Sequence, residues 1–241
     1  MQIAVLSDIH GNLEAFLAVI ADIDRRKPDK VVCLGDLIGY GPDPDEVVSL
    51  FRQKGYYCIL GNHEAALDSE TIRNWHNFQA RENSIETEKL LSASNRDYCC
   101  NLKKNLVLDN ILFVHGFPPS SLLRYVSAAT ENDLQMYLST TKTDLCFVGH
   151  THELQVISWD NVHLRKENLQ QKGYTLSHDC RYIINAGSVG QPRDGTDSAK
   201  FMLLDTQKYS LEVICVDYDY HATRQKIKKR GFPDAYGLRL G

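Results

Sequence analysis

Long apolar runs are missing from this chain of 241 residues: no stretch approaches the ~20 that a membrane-spanning helix needs. The first residues run straight into a strand pattern, without the basic segment, apolar core and small-residue cleavage site of a secretory signal. Cysteine is present without a pattern: seven residues, odd in number, and no Cys-x-x-Cys pair. Cys33, Cys58, Cys146 and Cys215 fall inside strand-like runs, where a thiol behaves as a small apolar side chain. Cys99 and Cys100 are adjacent and cannot form an ordinary bridge with each other. A reducing cytoplasm is the expected compartment. Excess positive charge is lacking too. Lys and Arg total 27 against 31 Asp and Glu, and the net charge of −4 offers no pull toward extended nucleic acid or an anionic membrane. Repeats, low-complexity stretches and flexible linkers are absent, so a single domain spanning 1–241 is expected.

Five short apolar runs are present, and each breaks off into a ligand-type cluster. They lead into Asp8-Ile9-His10-Gly11, Gly35-Asp36, Gly61-Asn62-His63-Glu64, His115-Gly116 and Gly149-His150-Thr151-His152. Five of the nine histidines sit at these run ends. Ligands in α/β sheets bind beyond the carboxyl ends of strands, so distant clusters can converge on one site.

Residues 1–60 alternate strand and helix. Leu13, Phe16, Leu17 and Ile20 recur at helical spacing up to Lys27-Pro28, and Val47, Val48, Leu50 and Phe51 mark a second helix. Strands are expected at 3–6, 31–34 and 56–60, a βαβαβ order that implies a parallel sheet. Residues 64–104 are polar and hold neither Pro nor Gly. Helical spacing in two blocks, near 75–91 and 95–102, predicts a helical insert beside the crevice. From 106 onward short strands predominate, at 106–108, 111–114, 145–148, 154–158, 162–164, 182–185, 200–204 and 211–216. Asp109-Asn110 forms a hairpin turn, one helix falls at 131–138, and the tail is helical at about 222–229 and again after 233. The fold class is therefore α/β, with a β-rich second half.

Each cluster has a bland alternative. Asp8 and His10, two apart, would share one face of a strand, yet Asp8 or Asn12 could equally cap the following helix. Asp36 could be a turn residue or could bridge two cations through its two oxygens. Asn62 can offer a carbonyl oxygen with His63 beside it for proton transfer, although a Gly-Asn turn with an exposed His fits that segment alone. His115, His150 and His152 would each pass singly as core histidines; three at two successive strand ends strain that reading. Together, Asp8, His10, Asp36, Asn62, His115, His150 and His152 supply four nitrogen and three oxygen donors and no thiolate. Such a set suits Mn, Fe, Co, Ni or Zn, with Mn favoured, rather than Ca²⁺ or a structural zinc. Seven ligands are too many for one open catalytic ion and suit two that share Asp36. Two dications over two carboxylates leave a positive surplus that a phosphate would fill. A pair ~3.5–4 Å apart would clamp phosphoryl oxygens and activate a bridging hydroxide.

These motifs, in this order, resemble the calcineurin-like metallophosphoesterase superfamily. Asp8-Ile9-His10-Gly11-Asn12, Gly39-Tyr40-Gly41-Pro42-Asp43-Pro44 and the stretch from Asn185-Ala186-Gly187-Ser188 through Gln191-Pro192-Arg193-Asp194 are similar to its YfcE-like or diadenosine-tetraphosphatase-like phosphodiesterase branch. The resemblance implies a four-layer αββα sandwich of two mixed β-sheets flanked by helices. By matched position it implies Asp8, His10, Asp36 and His152 around a first metal, and Asp36, Asn62, His115 and His150 around a second. His63 would then stabilise the transition state and protonate the leaving oxygen. The implied activity is hydrolysis of a phosphodiester or nucleotide-type phosphoester, on a small substrate. A non-catalytic interaction scaffold of the same fold, as in a retromer subunit, and a nuclease are the alternatives. Outside the metal motifs, Gly187 and Ser188 could bring N–H groups to a phosphate or simply form a tight loop. Arg193 could grip a phosphate oxygen or pair with Asp194 or Asp197. Tyr40 could line the rim, with packing the plainer role. His76, His163, His178 and His221 are read as surface or structural.

Overall fold

Residues 1–240 are described by the structure, a computed structural model. The chain begins β1 (Gln2–Leu6), α1 (Leu13–Arg26), β2 (Lys30–Cys33), α2 (Pro44–Lys54) and β3 (Tyr57–Cys58). Four helices come next: α3 (Asn62–Ala65), α4 (Glu70–Trp75), α5 (Phe78–Leu90) and α6 (Ala93–Cys100). Then come β4 (Asn105–Leu108), β5 (Ile111–Val114), α7 (Glu131–Thr140), β6 (Leu145–Val148), β7 (Leu154–Trp159), β8 (Leu164–Asn168) and β9 (Gly173–Thr175). The chain closes with β10 (Arg181–Ala186), β11 (Ala199–Asp205), β12 (Ser210–Val216), α8 (Tyr220–Lys229) and α9 (Asp234–Leu238).

Two mixed six-stranded sheets result, ordered β3-β2-β1-β11-β12-β9 and β4-β5-β6-β10-β7-β8. Parallel pairing joins β1, β2 and β3 in the first sheet and β5, β6 and β10 in the second. Both faces of β1 are covered, which explains a continuous apolar run instead of alternation. Ile3 and Val5 pack between the sheets with Val32, Phe113, Phe147 and Ile184. Ala4 and Leu6 face outward under Phe16 and Val19 of α1 and Phe51 of α2. On the far side, Leu134 and Leu138 of α7 cover Val114, Val148 and Ile183. Helix, sheet, sheet and helix make four layers, as expected.

The differences from expectation lie in the periphery. The third strand shortens to two residues; Ile59 still donates to Cys33 O at 3.1 Å, and from there the chain pairs with Lys103, whose carbonyl accepts from Leu60 N at 2.7 Å. Both expected blocks of the insert appear, as α5 and α6, and two short helices, α3 and α4, precede them. Asn77 Oδ1 accepts from Ala80 N at 2.9 Å and Ser92 Oγ from Asn95 N at 3.3 Å, and each cap starts a new helix. The strand expected at 162–164 begins at Leu164 instead. Asp160 Oδ1 draws in the N–H groups of Val162 and His163 and holds both in the turn. Strand β9 carries no periodicity and was not expected.

Candidate metal centre

The carboxyl ends of β1, β2, β5 and β6 point to one end of the sandwich, and the loops beyond them turn sharply. Asp8, His10, Asp36, His150 and His152 all take left-handed backbone conformations, with φ between 51° and 70°. Side chains two apart therefore meet here through loop geometry and not through strand alternation. Each such residue costs about 1–3 kcal/mol, a strain typical of functional loops. Neighbouring loops hold the backbone in place. Asp8 N donates to Gly35 O at 3.1 Å, His10 N to Asp36 O at 2.9 Å, and Gly190 N to Asp8 O at 3.0 Å. Asn12 caps α1, its Oδ1 accepting from Ala15 N, so Asp8 is not needed for that role.

All seven candidate ligands meet in this space. His10 Nε2 faces His152 Nε2 at 3.1 Å, and Asp8 Oδ1 lies 3.3 Å from His152 Nε2 and 3.7 Å from His10 Nε2. On the other side His115 Nε2 lies 3.1 Å from His150 Nδ1 and 2.8 Å from Asn62 Oδ1. Asp36 Oδ2 sits between the two groups, 3.8 Å from His10 Nε2 and 3.4 Å from His115 Nε2. Every one of these side chains is buried.

The donor set fits divalent cations because of how its rings are backed. The Nδ1 atoms of His10, His115 and His152 lie 3.0, 2.7 and 2.6 Å from the carbonyls of Ile38, Leu34 and Gln191. A neutral ring that donates Nδ1–H to a carbonyl turns its Nε2 lone pair inward, the usual backing of a metal-ligating histidine. His10 and His152 then aim two lone pairs at each other, an arrangement that requires a cation or a proton between them. Asp8 repeats the pattern. Its Oδ2 accepts from Ser7 Oγ and from His150 N, while Oδ1, buried among the imidazoles, has no hydrogen-bond partner among the described residues.

Charge states agree with this arrangement. Burial, helped by neighbouring His152, lowers His10 to about 4; burial and His115 lower His150 to about 3. Both rings are neutral near pH 7, with lone pairs free. Burial opposes the charge on Asp8 and Asp36, but His152 and His115 respectively hold each carboxyl well below its ordinary value. His115 is the exception. Burial works against its proton, yet Asp36 beside it raises the ring to about 10.

His63 lies against this cluster, its ring 5.0 Å from that of His10, and its backbone N–H donates to Asp36 Oδ1 at 3.0 Å. A Cβ at Gly39 would stand 2.2 Å from His63 Nδ1, and Gly39 has φ +92°, so only glycine fits both demands. Nδ1 is thus enclosed without a partner among the described residues, leaving Nε2 toward the crevice. Glu64 does not orient His63. Its carboxylate accepts from the N–H groups of Asp36, Ile38 and Gly61 and ties two ligand loops together.

The loop after β10 sorts the remaining expectations. Ser188 is fully buried; its hydroxyl donates to Asp8 O at 2.8 Å and accepts from Gln191 N at 2.8 Å. Gly187 N donates to Asn185 Oδ1 at 3.2 Å. The Ser188 hydroxyl is thus spent on the Asp8 loop and the Gly187 N–H within its own turn, as a tight loop requires. Arg193 is exposed, and Asp194 pairs with Lys200 at 3.0 Å instead. Tyr40 packs edge-on to His10 and His63 at 4.8 and 4.7 Å.

Two residues escaped sequence reasoning. His76, read as surface or structural, is buried with Nε2 2.9 Å from Asn62 Nδ2, and its ring lies 4.9 Å from His63. Tyr125 stacks on His150 at 4.0 Å. Neither stands at a strand end, so no motif marks them; the capping Asn77 next to His76 was the only local signal.

Comparison with known proteins agrees with the geometry. The family model described as calcineurin-like phosphoesterase matches residues 1–154. The uncharacterized protein MJ0912 of Methanocaldococcus jannaschii is 33% identical over 243 residues, covering 99% of this chain and 96% of that one. A metallophosphoesterase from Sphaerobacter thermophilus superposes with a TM-score of 0.85 at 32% identity, over 100% of this chain and 98% of its own. The protein PH1004 of Pyrococcus horikoshii OT3 shares the fold, with a TM-score of 0.80 at 19% identity over 99% and 97% of the two chains. With its strand-end Asp, His and Asn clusters drawn together at one end of the paired sheets, this chain belongs to the calcineurin-like phosphoesterase family.

Proposed function

We propose that the protein is a dinuclear metal-dependent hydrolase of phosphodiesters or nucleotide-type phosphoesters, acting in the cytoplasm as a single domain. Asp8, His10, Asp36 and His152 would hold one divalent cation, and Asp36, Asn62, His115 and His150 a second. The observation that carries this reading is the facing pair of carbonyl-backed imidazoles, His10 and His152, beside the unpartnered Asp8 Oδ1. Nitrogen and oxygen donors without a thiolate fit manganese, iron, cobalt, nickel or zinc, and manganese is the ion taken for the test below.

Bound there, two divalent cations would supply positive charge against the phosphoryl oxygens and lower the pKa of water between them. The chain contributes the rest. Asp36, reaching both groups of ligands, fixes their separation. The surrounding carbonyls fix each ring's tautomer. His63, held well below the ordinary imidazole value by burial, presents Nε2 to the crevice and would stabilise the oxygen of the departing alcohol by hydrogen bonding, with Gly39 and Tyr40 holding the ring in place.

A manganese-reconstituted assay against a panel of phosphomonoesters and phosphodiesters tests the proposal. Asp36→Ala should lose bound metal and activity together. His63→Ala should keep its metal and lose about 10²–10⁴ in kcat on substrates with poor leaving groups. Full activity in either variant, or no hydrolysis of any ester by the metal-loaded wild type, would refute it.

A further inference from the structure

Among the four candidate histidine ligands, His150 is turned the other way round. His10, His115 and His152 back Nδ1 on a carbonyl at 3.0, 2.7 and 2.6 Å and turn Nε2 inward. His150 instead brings Nδ1 to 3.1 Å from His115 Nε2, so Nδ1 is the atom it offers to a cation. Its Nε2 meets Leu123 O at 3.4 Å, the longest of the four backing contacts. A neutral imidazole has one N–H and one lone pair, so that contact can select the tautomer. It holds the ring loosely, however. Rotation of an imidazole about its Cβ–Cγ bond has broad wells, and a ring without a tight hydrogen bond stays aimed only if something lies against its face.

Tyr125 lies against that face. Its ring is 4.0 Å from the ring of His150 and 9° from parallel. Neither neighbouring ring does the same. His115 is inclined by 55° at 4.8 Å, and Trp75, 6.1 Å from His150 and 6.2 Å from Tyr125, stands beside the stack. The segment that delivers Tyr125 starts from another candidate ligand. After His115 the chain loops out and returns, Gly116 N donating to Ser121 O at 2.9 Å and Phe117 N to Arg124 O at 2.7 Å. A Cβ at Gly116 would stand 2.9 Å from both of those carbonyl oxygens, so the return closes over glycine. Ser121 Oγ accepts from Leu123 N at 3.3 Å and Arg124 N at 3.0 Å, and Val126 is buried in the cluster with Val114 and Val148. Leu123 O and Tyr125 thus reach His150 from a loop fixed on either side of them.

We infer that Tyr125 is a positioning residue for the candidate metal centre, its ring setting the plane of His150 so that Nδ1 faces the cation on the Asn62 side. The role belongs to the flat ring and not to the hydroxyl. It rests on the hydrolase reading for the presence of that cation.

Equilibrium dialysis with manganese, read as two binding constants, tests the role without recourse to turnover. Tyr125→Leu, and independently Tyr125→Met, keep apolar bulk and lose the flat face. Each should weaken the Asn62-side cation about tenfold, as loss of a supporting partner does, and change the Asp8-side cation less than about twofold. Tyr125→Phe, which keeps the ring, should bind both ions as wild type does. Equal weakening of the two cations, wild-type affinity in both aliphatic variants, or a loss in Tyr125→Phe as large as in Tyr125→Leu would overturn the assignment. Those results leave the hydrolase reading standing. A wild type that takes up fewer than two ions is a separate failure, which removes the dinuclear reading and the role of Tyr125 with it.

Discussion

Asn62 can serve a cation only if its amide presents oxygen to the centre, and His76 decides which atom that is. The Nδ2 group lies 2.9 Å from His76 Nε2, while Oδ1 points at His115 Nε2 at 2.8 Å. An imidazole nitrogen that accepts from Nδ2 excludes the flipped amide. His76→Ala should therefore weaken the Asn62-side cation by about 10–100-fold, the usual effect of losing a supporting partner, and spare the Asp8-side cation. His76→Gln, which can return an acceptor oxygen, should recover most of that loss. Equilibrium dialysis with manganese, read as two binding constants, checks both; equal weakening of the two cations would mark a general packing defect. His76 also shows where sequence legibility stops. Its partner lies 14 residues away across two helix corners, and a lone histidine inside a polar helical stretch carries no spacing signal.

At the scale of elements, the strand ends were legible and the loop conformations beyond them were not. Apolar runs such as Val31-Val32-Cys33-Leu34 stop abruptly at Gly35-Asp36, because a strand covered on both faces has no polar positions until it leaves the sheet. The turns past these ends depend on left-handed backbone at Asp8, Asp36 and His150, and no residue-type pattern announces that for aspartate or histidine. The polar insert was similarly opaque. Its α5 buries Ala80, Asn83, Ser84 and Thr87, so an apolar periodicity is not there to be read. Asn83 Oδ1 instead accepts from Tyr40 N at 2.6 Å, fastening the insert to the loop that carries Gly39. That loop gives a prediction. Gly39→Ala adds a Cβ 2.2 Å from His63 Nδ1 at φ +92°, so the ring or the loop must move. The variant should bind metal normally, unfold with a loss of about 1–3 kcal/mol, and approach His63→Ala in activity. Denaturant unfolding and the same ester panel test it, and wild-type turnover would show that the ring position is unimportant.

The molecule as a whole places its candidate ligands on both sheets. Asp8, His10 and Asp36 come after β1 and β2 of the first sheet; His115, His150 and His152 come after β5 and β6 of the second. Between the sheets lies an apolar layer in which Phe113 and Phe147 stack at 5.6 Å. That layer holds the sheets together along their length, while the candidate ligands at one end place polar groups of both sheets against each other. Without cations, the facing lone pairs of His10 and His152 and the paired charges of Asp8 and Asp36 work against closure there. Cations should therefore act as a cross-brace as well as catalysts. At a hundredfold excess over the dissociation constant, one bound ion adds about 2.7 kcal/mol to the unfolding free energy. Manganese should raise the melting temperature of wild type and of Phe147→Ala alike. Phe147→Ala itself starts about 3–5 kcal/mol lower from the lost core contact. Asp36→Ala should show little metal-dependent rise, because it removes the carboxylate that reaches both groups of ligands. Differential scanning calorimetry with and without chelator measures all three. An equal metal-induced rise in Asp36→Ala would mean the ions brace the protein somewhere other than between its sheets.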